Sequence, residues 1–258
     1  MKKMMALALA LLMMLTGSLA LADEFRMGID PEYAPFSYLD DNGNYAGFDV
    51  EICKAVCDLL GWEQVIVPVN WDFKLISLDN NEHDCIWSGM TIMDTMAPAG
   101  YVLSTPYYDN SQVILTKEGS GINGAADLAG KRVAVQAGTS AQKLLEGDQL
   151  ALAQTFEGGA PMLFENYTIC ATEMDAGGVD AIVADLPKAA ELKRKFNGFA
   201  IVGESLGSEV YGICFRKDGE ALCKQVEDAI KTLVENGTYL EIAKKYEDIE
   251  IDALLLLK

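Results

Sequence analysis

The stretch Asp84-Cys85-Ile86-Trp87-Ser88-Gly89-Met90-Thr91 decides the fold of this 258-residue chain. Its first half, through Trp87, is a short apolar run and predicts a buried strand of a parallel sheet, and its second half predicts the loop that leaves the carboxyl end of that strand. In open α/β sheets, ligands bind at this edge. Because Ser88, Gly89 and Thr91 offer two hydroxyls and an approachable backbone but no strong nucleophile or metal ligand, the stretch indicates a surface that holds a small molecule.

Strands and helices alternate on both sides of this stretch. Before it, we predict strands over residues 25–29 and 65–69, separated by a helix that Asp49 caps and Gly61 ends. After it, a second unit repeats the alternation, with predicted strands 133–136, 181–185 and 200–202 and predicted helices 141–145 and 186–196. Alternation at this spacing predicts parallel sheets with crossover connections.

The last predicted elements, a strand over residues 211–215 and a helix over 220–235, have no partner of their own in the second unit. The simplest topology returns them to the first unit, so two connections cross between the units, near residues 110–115 and 207–211. Two crossings make a hinge with a cleft between the units. The predicted fold class is therefore α/β with two lobes, lobe 1 comprising residues 23–111 plus 209–258 and lobe 2 comprising residues 112–208.

The amino terminus predicts export. Lys2 and Lys3 precede an apolar run over residues 4–15, and Ala20-Leu21-Ala22 supplies small residues for cleavage, which is typical of a secretory signal peptide over residues 1–22. The run is too short to span a bilayer, and no later stretch is long and apolar enough. Because Ser18 stands where a lipoprotein box has cysteine, we expect a periplasmic or otherwise extracytoplasmic protein without a lipid anchor and not membrane-spanning.

Composition excludes several classes of function. Removing residues 1–22 leaves 18 basic against 39 acidic side chains, a net charge of −21, and such a surface repels nucleic acid and anionic lipid. All six cysteines lie in the exported part, where both disulfides and buried free thiols are consistent with the sequence. No CxxC spacing occurs, and the single histidine, His83, falls in a polar turn, so we expect no metal and no cofactor.

Seven segments in register resemble one known family. They are Asp30-Pro31-Glu32-Tyr33-Ala34-Pro35-Phe36, Gly47-Phe48-Asp49-Val50, Trp71-Asp72, Ser88-Gly89-Met90-Thr91, Asp127-Leu128-Ala129-Gly130-Lys131, Val135-Gln136-Ala137-Gly138-Thr139 and Val179-Asp180-Ala181-Ile182-Val183-Ala184-Asp185. Over residues 25–246 the chain resembles the extracellular solute-binding proteins of family 3, the polar amino acid receptors of bacterial ABC importers. The resemblance implies a two-lobe, type II periplasmic-binding clamshell with two hinge strands. Such a protein, expected here as a monomer, closes on one ligand and presents it to a membrane permease.

The resemblance also implies a binding site. Tyr33 and Trp71 resemble the pair that sandwiches the ligand side chain, and Asp30 the acid near its far end. The remaining implied contacts are Ser88, Gly89 and Thr91 for the amino and carboxylate groups, Thr139 and Ser140 for the carboxylate, and Asp185 for the ammonium. Thr139 and Ser140 precede a predicted helix, whose free N–H groups favour an anion. Asp185 is alternatively the N-cap of the helix over residues 186–196.

One departure from the family's pattern concerns the ligand carboxylate. The arginine that normally binds it is replaced near Met96, and no arginine or lysine occurs between Lys74 and Lys117. Three explanations remain open: hydroxyls and the helix start alone hold the carboxylate, Lys74 reaches in from the cleft wall, or the ligand is an amine-like solute that lacks an α-carboxylate. We rank an amino acid or close relative first.

An enzyme on the same fold is the main alternative, because cyclohexadienyl dehydratases resemble this family. Their reaction needs a general acid in the cleft, for which Glu157 and Glu173 are the second-lobe candidates. Each is more simply a solvated residue, so we expect no catalytic residues. A receptor's sensory domain is disfavoured because the chain ends at Lys258 with no predicted spanning helix.

Overall fold

The computed structural model of the protein describes residues 23–249 and 254–257, and the predicted signal peptide lies outside this part. The strands are β1 Glu24–Ile29, β2 Glu32–Tyr33, β3 Ser37–Leu39, β4 Tyr45–Ala46, β5 Glu63–Pro68, β6 Cys85–Thr91, β7 Val102–Leu103, β8 Tyr108–Lys117, β9 Val133–Gln136, β10 Met162–Phe164, β11 Ala181–Asp185 and β12 Phe199–Phe215. The α-helices are α1 Phe48–Leu60, α2 Lys74–Asp79, α3 Ser140–Glu146, α4 Leu150–Ala153, α5 Tyr167–Ala176, α6 Leu186–Lys195, α7 Glu220–Glu235 and α8 Thr238–Ala243.

In the described part of the chain, nine strands form one mixed sheet in the order β10-β9-β11-β8-β12-β6-β1-β5, with β7 beside β12. Strand β1 pairs in parallel with β5 and β6, and β9 pairs in parallel with β10 and β11. Strands β8 and β12 run antiparallel to each other and to the strands beside them. The first half-sheet (β5, β1, β6) and the second half-sheet (β10, β9, β11) therefore flank the antiparallel pair β8–β12.

Strand β12 differs from the prediction. The two separate strands predicted over residues 200–202 and 211–215 are one strand of 17 residues. Its pairing with β8 is interrupted by a register shift between Val202 and Gly207. A register shift inserts unpaired residues and bends a strand, which lets one strand follow two differently oriented half-sheets.

Strand β6 is also longer than predicted. The loop expected after Trp87 is wrong, since the strand continues to Thr91. It continues because Met90 pairs with Gly212 and Thr91 pairs with Tyr211 on β12. A neighbouring strand far away in sequence thus supplies backbone partners that a local reading cannot foresee.

Helix α1 begins differently from the prediction. Gly47, not Asp49, is the residue before the first helical residue, so the expected Asp49 cap is wrong. The Asp49 side chain is fully buried, and its Oδ2 accepts hydrogen bonds from Gly89 N and the Tyr107 hydroxyl, both at 2.7 Å. Gly61 ends the helix in the left-handed conformation, as expected.

The interior is apolar and contains all six thiols. Every cysteine is buried and free, which answers the question that the sequence left open between disulfides and thiols. His83 is also fully buried, although it follows a turn. Its Nδ1 lies 3.1 Å from Cys85 O and its Nε2 lies 2.8 Å from Ser77 Oγ, and burial lowers its pKa. His83 is therefore a packed core side chain rather than an exposed turn residue.

Candidate functional site

A cavity lies between the two half-sheets. On the side of the first half-sheet it is lined by Tyr33 of β2, Trp71 just before α2, Lys74 of α2, Gly89, Met90 and Thr91 of β6, and Met93 just after β6. On the side of the second half-sheet it is lined by Gln136 of β9, Gly138 and Thr139 of the following loop, Ser140 of α3 and Asp185 of β11. The centre of a water-sized sphere can occupy only about 20 Å³ of it. The two walls are therefore in contact, and a solute of amino acid size enters only after they separate.

Aromatic side chains form one wall. Tyr33 is 6% exposed, and its hydroxyl lies 2.7 Å from the Tyr211 hydroxyl, which fixes its ring over Gly89. Gly89 has φ +53°, and a Cβ there would lie 2.4 Å from Tyr33 Cε1. Only glycine fits this combination of left-handed backbone and close ring contact. The wall therefore presents the Tyr33 and Trp71 rings beside a bare stretch of backbone.

Lys74 places a cation against this wall. Its Nζ lies 4.6 Å from the centre of the Trp71 ring and donates to Trp71 O at 3.0 Å and to Gly138 O at 2.5 Å. The side chain is 6% exposed, and burial lowers its pKa to about 8. Lys74 thus joins the two walls, and it is the one lysine or arginine among the residues that line the cavity.

Asp185 supplies the negative charge opposite. It ends β11, is 4% exposed and occupies the N-cap position of α6, as the alternative expected, but its side chain makes no capping hydrogen bond. Its Oδ1 instead accepts from Asn110 Nδ2 at 2.7 Å, Gln112 Nε2 at 2.8 Å and the Tyr211 hydroxyl at 2.7 Å. The carboxylate is held at the cavity by donors from β8 and β12.

Glu209 is a second acid behind this one. Its Oε1 accepts from Thr91 Oγ1 and Ser140 Oγ, each at 3.1 Å, and from the same amides of Asn110 and Gln112 at 2.7 and 3.0 Å. Burial, and then the neighbouring Asp185, raise its pKa to about 8. Glu209 therefore links β6, α3 and both long strands.

The structure brings together seven of the nine predicted site residues. Tyr33, Trp71, Gly89, Thr91, Thr139, Ser140 and Asp185 line the cavity. Asp30 and Ser88 do not, because Ser88 Oγ lies 2.5 Å from Ser37 Oγ and accepts from Asp30 N at 3.1 Å. Asp30 Oδ2 accepts from Gln136 Nε2 at 2.6 Å, and burial raises its pKa. Both residues support the wall from behind and tie β6 and β9 to the loop after β1.

The structure also places the residue at the expected arginine position and the two general acid candidates. Met96, at the expected arginine position, is 2% exposed and packs with Leu78, Ile86, Met90 and Cys214, so it is a core residue, whereas Met93 lines the cavity. The general acid candidates Glu157 and Glu173 are exposed and lie outside the cavity lining.

Sequence reasoning missed Asn110, Gln112, Glu209 and Tyr211. A usable signal existed, since polar residues at 110 and 112 alternate on a strand and must share a face, as must 209 and 211. What the sequence does not give is that these two faces meet.

Within residues 23–249 and 254–257, no three His, Cys, Asp or Glu side chains gather as a metal site would require. The same residues include no helix that is both long and apolar enough to span a membrane.

The sequence profile of the bacterial extracellular solute-binding proteins, family 3, matches residues 25–248. The chain belongs to this family. This solute-binding protein is 32% identical over 223 residues to the L-cystine-binding protein TcyJ of Escherichia coli (strain K12), with 85% of this chain and 81% of the relative covered. It is 31% identical over 262 residues to the L-arginine-binding protein of Pseudomonas aeruginosa, with 97% and 98% covered.

The solved structures agree with this assignment. The solute-binding protein superimposes on an ABC uptake transporter substrate binding protein from Streptococcus pneumoniae with bound histidine, with a TM-score of 0.82 and 26% sequence identity. The superposition covers 86% of this chain and 91% of that one. The predicted fold class, a two-lobe α/β clamshell of the type II periplasmic-binding kind, is confirmed.

Proposed function

We propose that the protein is the extracytoplasmic substrate-binding component of an ABC importer, which captures a small polar solute between its lobes and delivers it to a membrane permease. The observation that carries this proposal is a cavity whose walls come from both half-sheets and carry opposite charges, Lys74 on one and Asp185 on the other. The proposed lobes are residues 23–111 with 209–258, and residues 112–208, after a signal peptide over 1–22.

Hinge movement is part of the proposal. The cavity has room for about one water molecule, and its walls are joined by the bonds from Lys74 to Gly138 O and from Gln136 to Asp30. These bonds must break for a solute to enter, and the bend in β12 offers the place for rotation. The protein can therefore close without a solute, and a bound solute adds contacts that favour the closed form.

An α-amino acid or a close relative fits the lining chemistry best. The Tyr33 and Trp71 rings suit a side chain, Asp185 suits an ammonium, and Lys74 suits a carboxylate. Because Met96 is in the core, Lys74 is the cation placed to replace the missing arginine, and it needs only to exchange Gly138 O for the ligand oxygen. The names of the relatives, which bind cystine, arginine and histidine, support this choice.

The remaining site residues take supporting roles in the proposal. Thr91, Thr139, Ser140 and the Gly89 backbone lie at the cavity and serve as polar ligand contacts. Asp30 and Ser88 act from behind, since their polar atoms are already bonded to Gln136 and Ser37.

Isothermal titration calorimetry tests the proposal. Titrants are L-cystine, L-histidine, L-arginine and L-glutamine, with putrescine and choline as solutes that lack an α-carboxylate. We expect binding of at least one amino acid. Lys74→Met should weaken amino acid binding about 10- to 150-fold, since a charged hydrogen bond is worth about 1.5–3 kcal/mol, and should not weaken an amine. Lys224→Met, at an exposed lysine of α7, is the matched control. Silence across the panel would count against the proposal.

A catalytic alternative has one observation in its favour, the raised pKa of Glu209 near the cavity, which is what a general acid needs. Relatives are named as binding proteins rather than enzymes, so we place this alternative second. Turnover of arogenate or prephenate that disappears in Glu209→Gln would favour it.

A further inference from the structure

Asp185 and Glu209 are close enough to act on each other. Asn110 Nδ2 lies 2.7 Å from Asp185 Oδ1 and also 2.7 Å from Glu209 Oε1, so the two oxygens are at most twice 2.7 Å, or 5.4 Å, apart. Gln112 Nε2 also bridges them, at 2.8 and 3.0 Å. The two acids therefore form one unit, the acid pair, held between β8, β11 and β12.

The surroundings of the acid pair are rich in oxygen. Asn110 and Gln112 are 3% and 1% exposed, and their carbonyl oxygens, Oδ1 and Oε1, have no hydrogen-bond partner while their amide nitrogens face the pair. Among the ion pairs of the described residues, none involves Asp185 or Glu209. The site thus combines one buried carboxyl, Asp185, and one half-buried carboxyl, Glu209, with two buried acceptors that lack donors, which is an environment for a bound cation or proton.

Two adjacent carboxylates in this position cannot both stay ionised without compensation. Like charges at this distance disfavour the second ionisation, and burial disfavours it further. The raised pKa of Glu209, about 8, has these two causes. One proton held by the pair removes the repulsion.

We propose, resting on the function proposed above, that the acid pair holds one proton in the ligand-free closed protein and that a cationic group of the solute displaces it. The charge balance is simple: the protonated pair carries −1, the proton passes to water, and the ionised pair at −2 together with the solute cation again totals −1. The solute class is therefore one with an ammonium or guanidinium at Asp185, and its uptake is linked to proton release.

A route to solvent for this proton is present. Glu209 also lines an outer groove, together with Asp94, Asp109, Asp148 and Lys143, and this groove shares Thr91, Met93 and Ser140 with the cavity. Lys143 bonds to Glu146 rather than to Glu209, so it leaves the acid pair uncompensated. On the cavity side the facing charge is Lys74, and the facing neutral groups are Thr91, Ser140 and the Tyr33–Tyr211 hydroxyl pair.

Calorimetry in two buffers measures the linkage directly. L-arginine, L-histidine and putrescine are titrated at pH 7 in phosphate and in Tris, whose ionisation enthalpies differ, so the difference in heat gives the number of protons released. We expect about one proton per bound molecule, and an affinity that rises close to tenfold per pH unit between pH 6 and 7.5. Glu209→Gln should release none, whereas Glu204→Gln, at an exposed residue of the same strand, should behave as the wild type. Binding without proton release would overturn the inference while leaving the proposed function standing.

If none of these probes binds, that outcome counts against the proposed function. The protonation of the acid pair can then still be measured without a ligand. Carbon-13 NMR of the side-chain carboxyls should show one group that titrates near pH 8 in the wild type and in Glu204→Gln and is missing in Glu209→Gln. Asp49, whose pKa burial raises to about 7, titrates in all three proteins and serves as an internal reference. The inference would be overturned if the same carboxyl groups titrated between pH 6 and 10 in Glu209→Gln, in Glu204→Gln and in the wild type.

Discussion

Gly138→Ala should block closure of the cleft while leaving each lobe folded. Gly138 has φ +74°, and a Cβ there would lie 2.5 Å from Asp72 Cα and 2.9 Å from Trp71 O, which belong to the opposite wall. Ordinary contact begins at 3.4 Å, so the walls must separate by several tenths of an ångström or more. The obstructing atoms are backbone, so no side-chain rotation relieves the contact.

The magnitude follows from the ligand contact that this separation weakens. Lys74 Nζ, which donates to Gly138 O at 2.5 Å across the closed cleft, is the group proposed to bind the ligand carboxylate when the cleft closes on a solute. Losing one charged hydrogen bond costs about 1.5–3 kcal/mol, so the dissociation constant of a solute that needs closure should rise about 10- to 150-fold. Alanine in the left-handed region costs a further 1–2 kcal/mol or so, but this cost is present in open and closed forms and affects folding rather than binding.

A matched variant separates the two effects. Gly177→Ala replaces another left-handed glycine, φ +82°, whose Cβ would meet nothing within 4 Å. It should lower the urea midpoint about as much as Gly138→Ala and leave affinity unchanged. Calorimetry with the tightest-binding amino acid and small-angle scattering with and without it are the assays. A dissociation constant for Gly138→Ala within twofold of wild type, or an equal loss in Gly177→Ala, would refute the reasoning.

Three further predictions concern buried groups. Asp49→Asn should remove a pH dependence of the free energy of unfolding. Burial raises the Asp49 pKa to about 7, so between pH 4 and 7 the folded protein holds a proton that the unfolded chain has lost, and the wild type should lose stability towards urea relative to the variant by about 1.4 kcal/mol per pH unit. A stability difference between the two proteins that does not change with pH would contradict this. Asp84→Asn should destabilise the protein by about 1–3 kcal/mol at pH 7 and by less at pH 3. Burial opposes ionisation of Asp84, but hydrogen bonds from Arg26 and Arg216 outweigh burial and lower the Asp84 pKa, so the stabilisation disappears as the pH falls through this lowered pKa. Equal losses of stability at both pH values would rule out the ion pair as the cause. Ellman's reagent should label few thiols in the native protein and six in urea, since all six cysteines are buried and free, and fewer than six in urea would reveal a disulfide.

The sequence alone determined the regular elements and their order. The predicted strands at 133–136 and 181–185 and the helix at 220–235 have those bounds in the structure, because short apolar runs and one amphipathic face are local signals of burial. The resemblance to family 3 placed Tyr33, Trp71 and Asp185 at the ligand, and all three line the cavity. Asp185 also ends a predicted strand, and in open α/β sheets ligands bind at that edge.

Only the tertiary structure decided which polar groups meet. Ser88 and Thr91 look alike in the sequence, yet Ser37 satisfies the Ser88 hydroxyl while Thr91 reaches Glu209, 118 positions away. The acid pair likewise depends on the register between β8, β11 and β12, because the hydrogen bonds from Asn110 and Gln112 to Asp185 and Glu209 join residues 73 to 99 positions apart. Periodicity records how buried a side chain is and which face it shares, but it carries no information about the partner strand. The chemistry of this site is therefore a property of strand pairing.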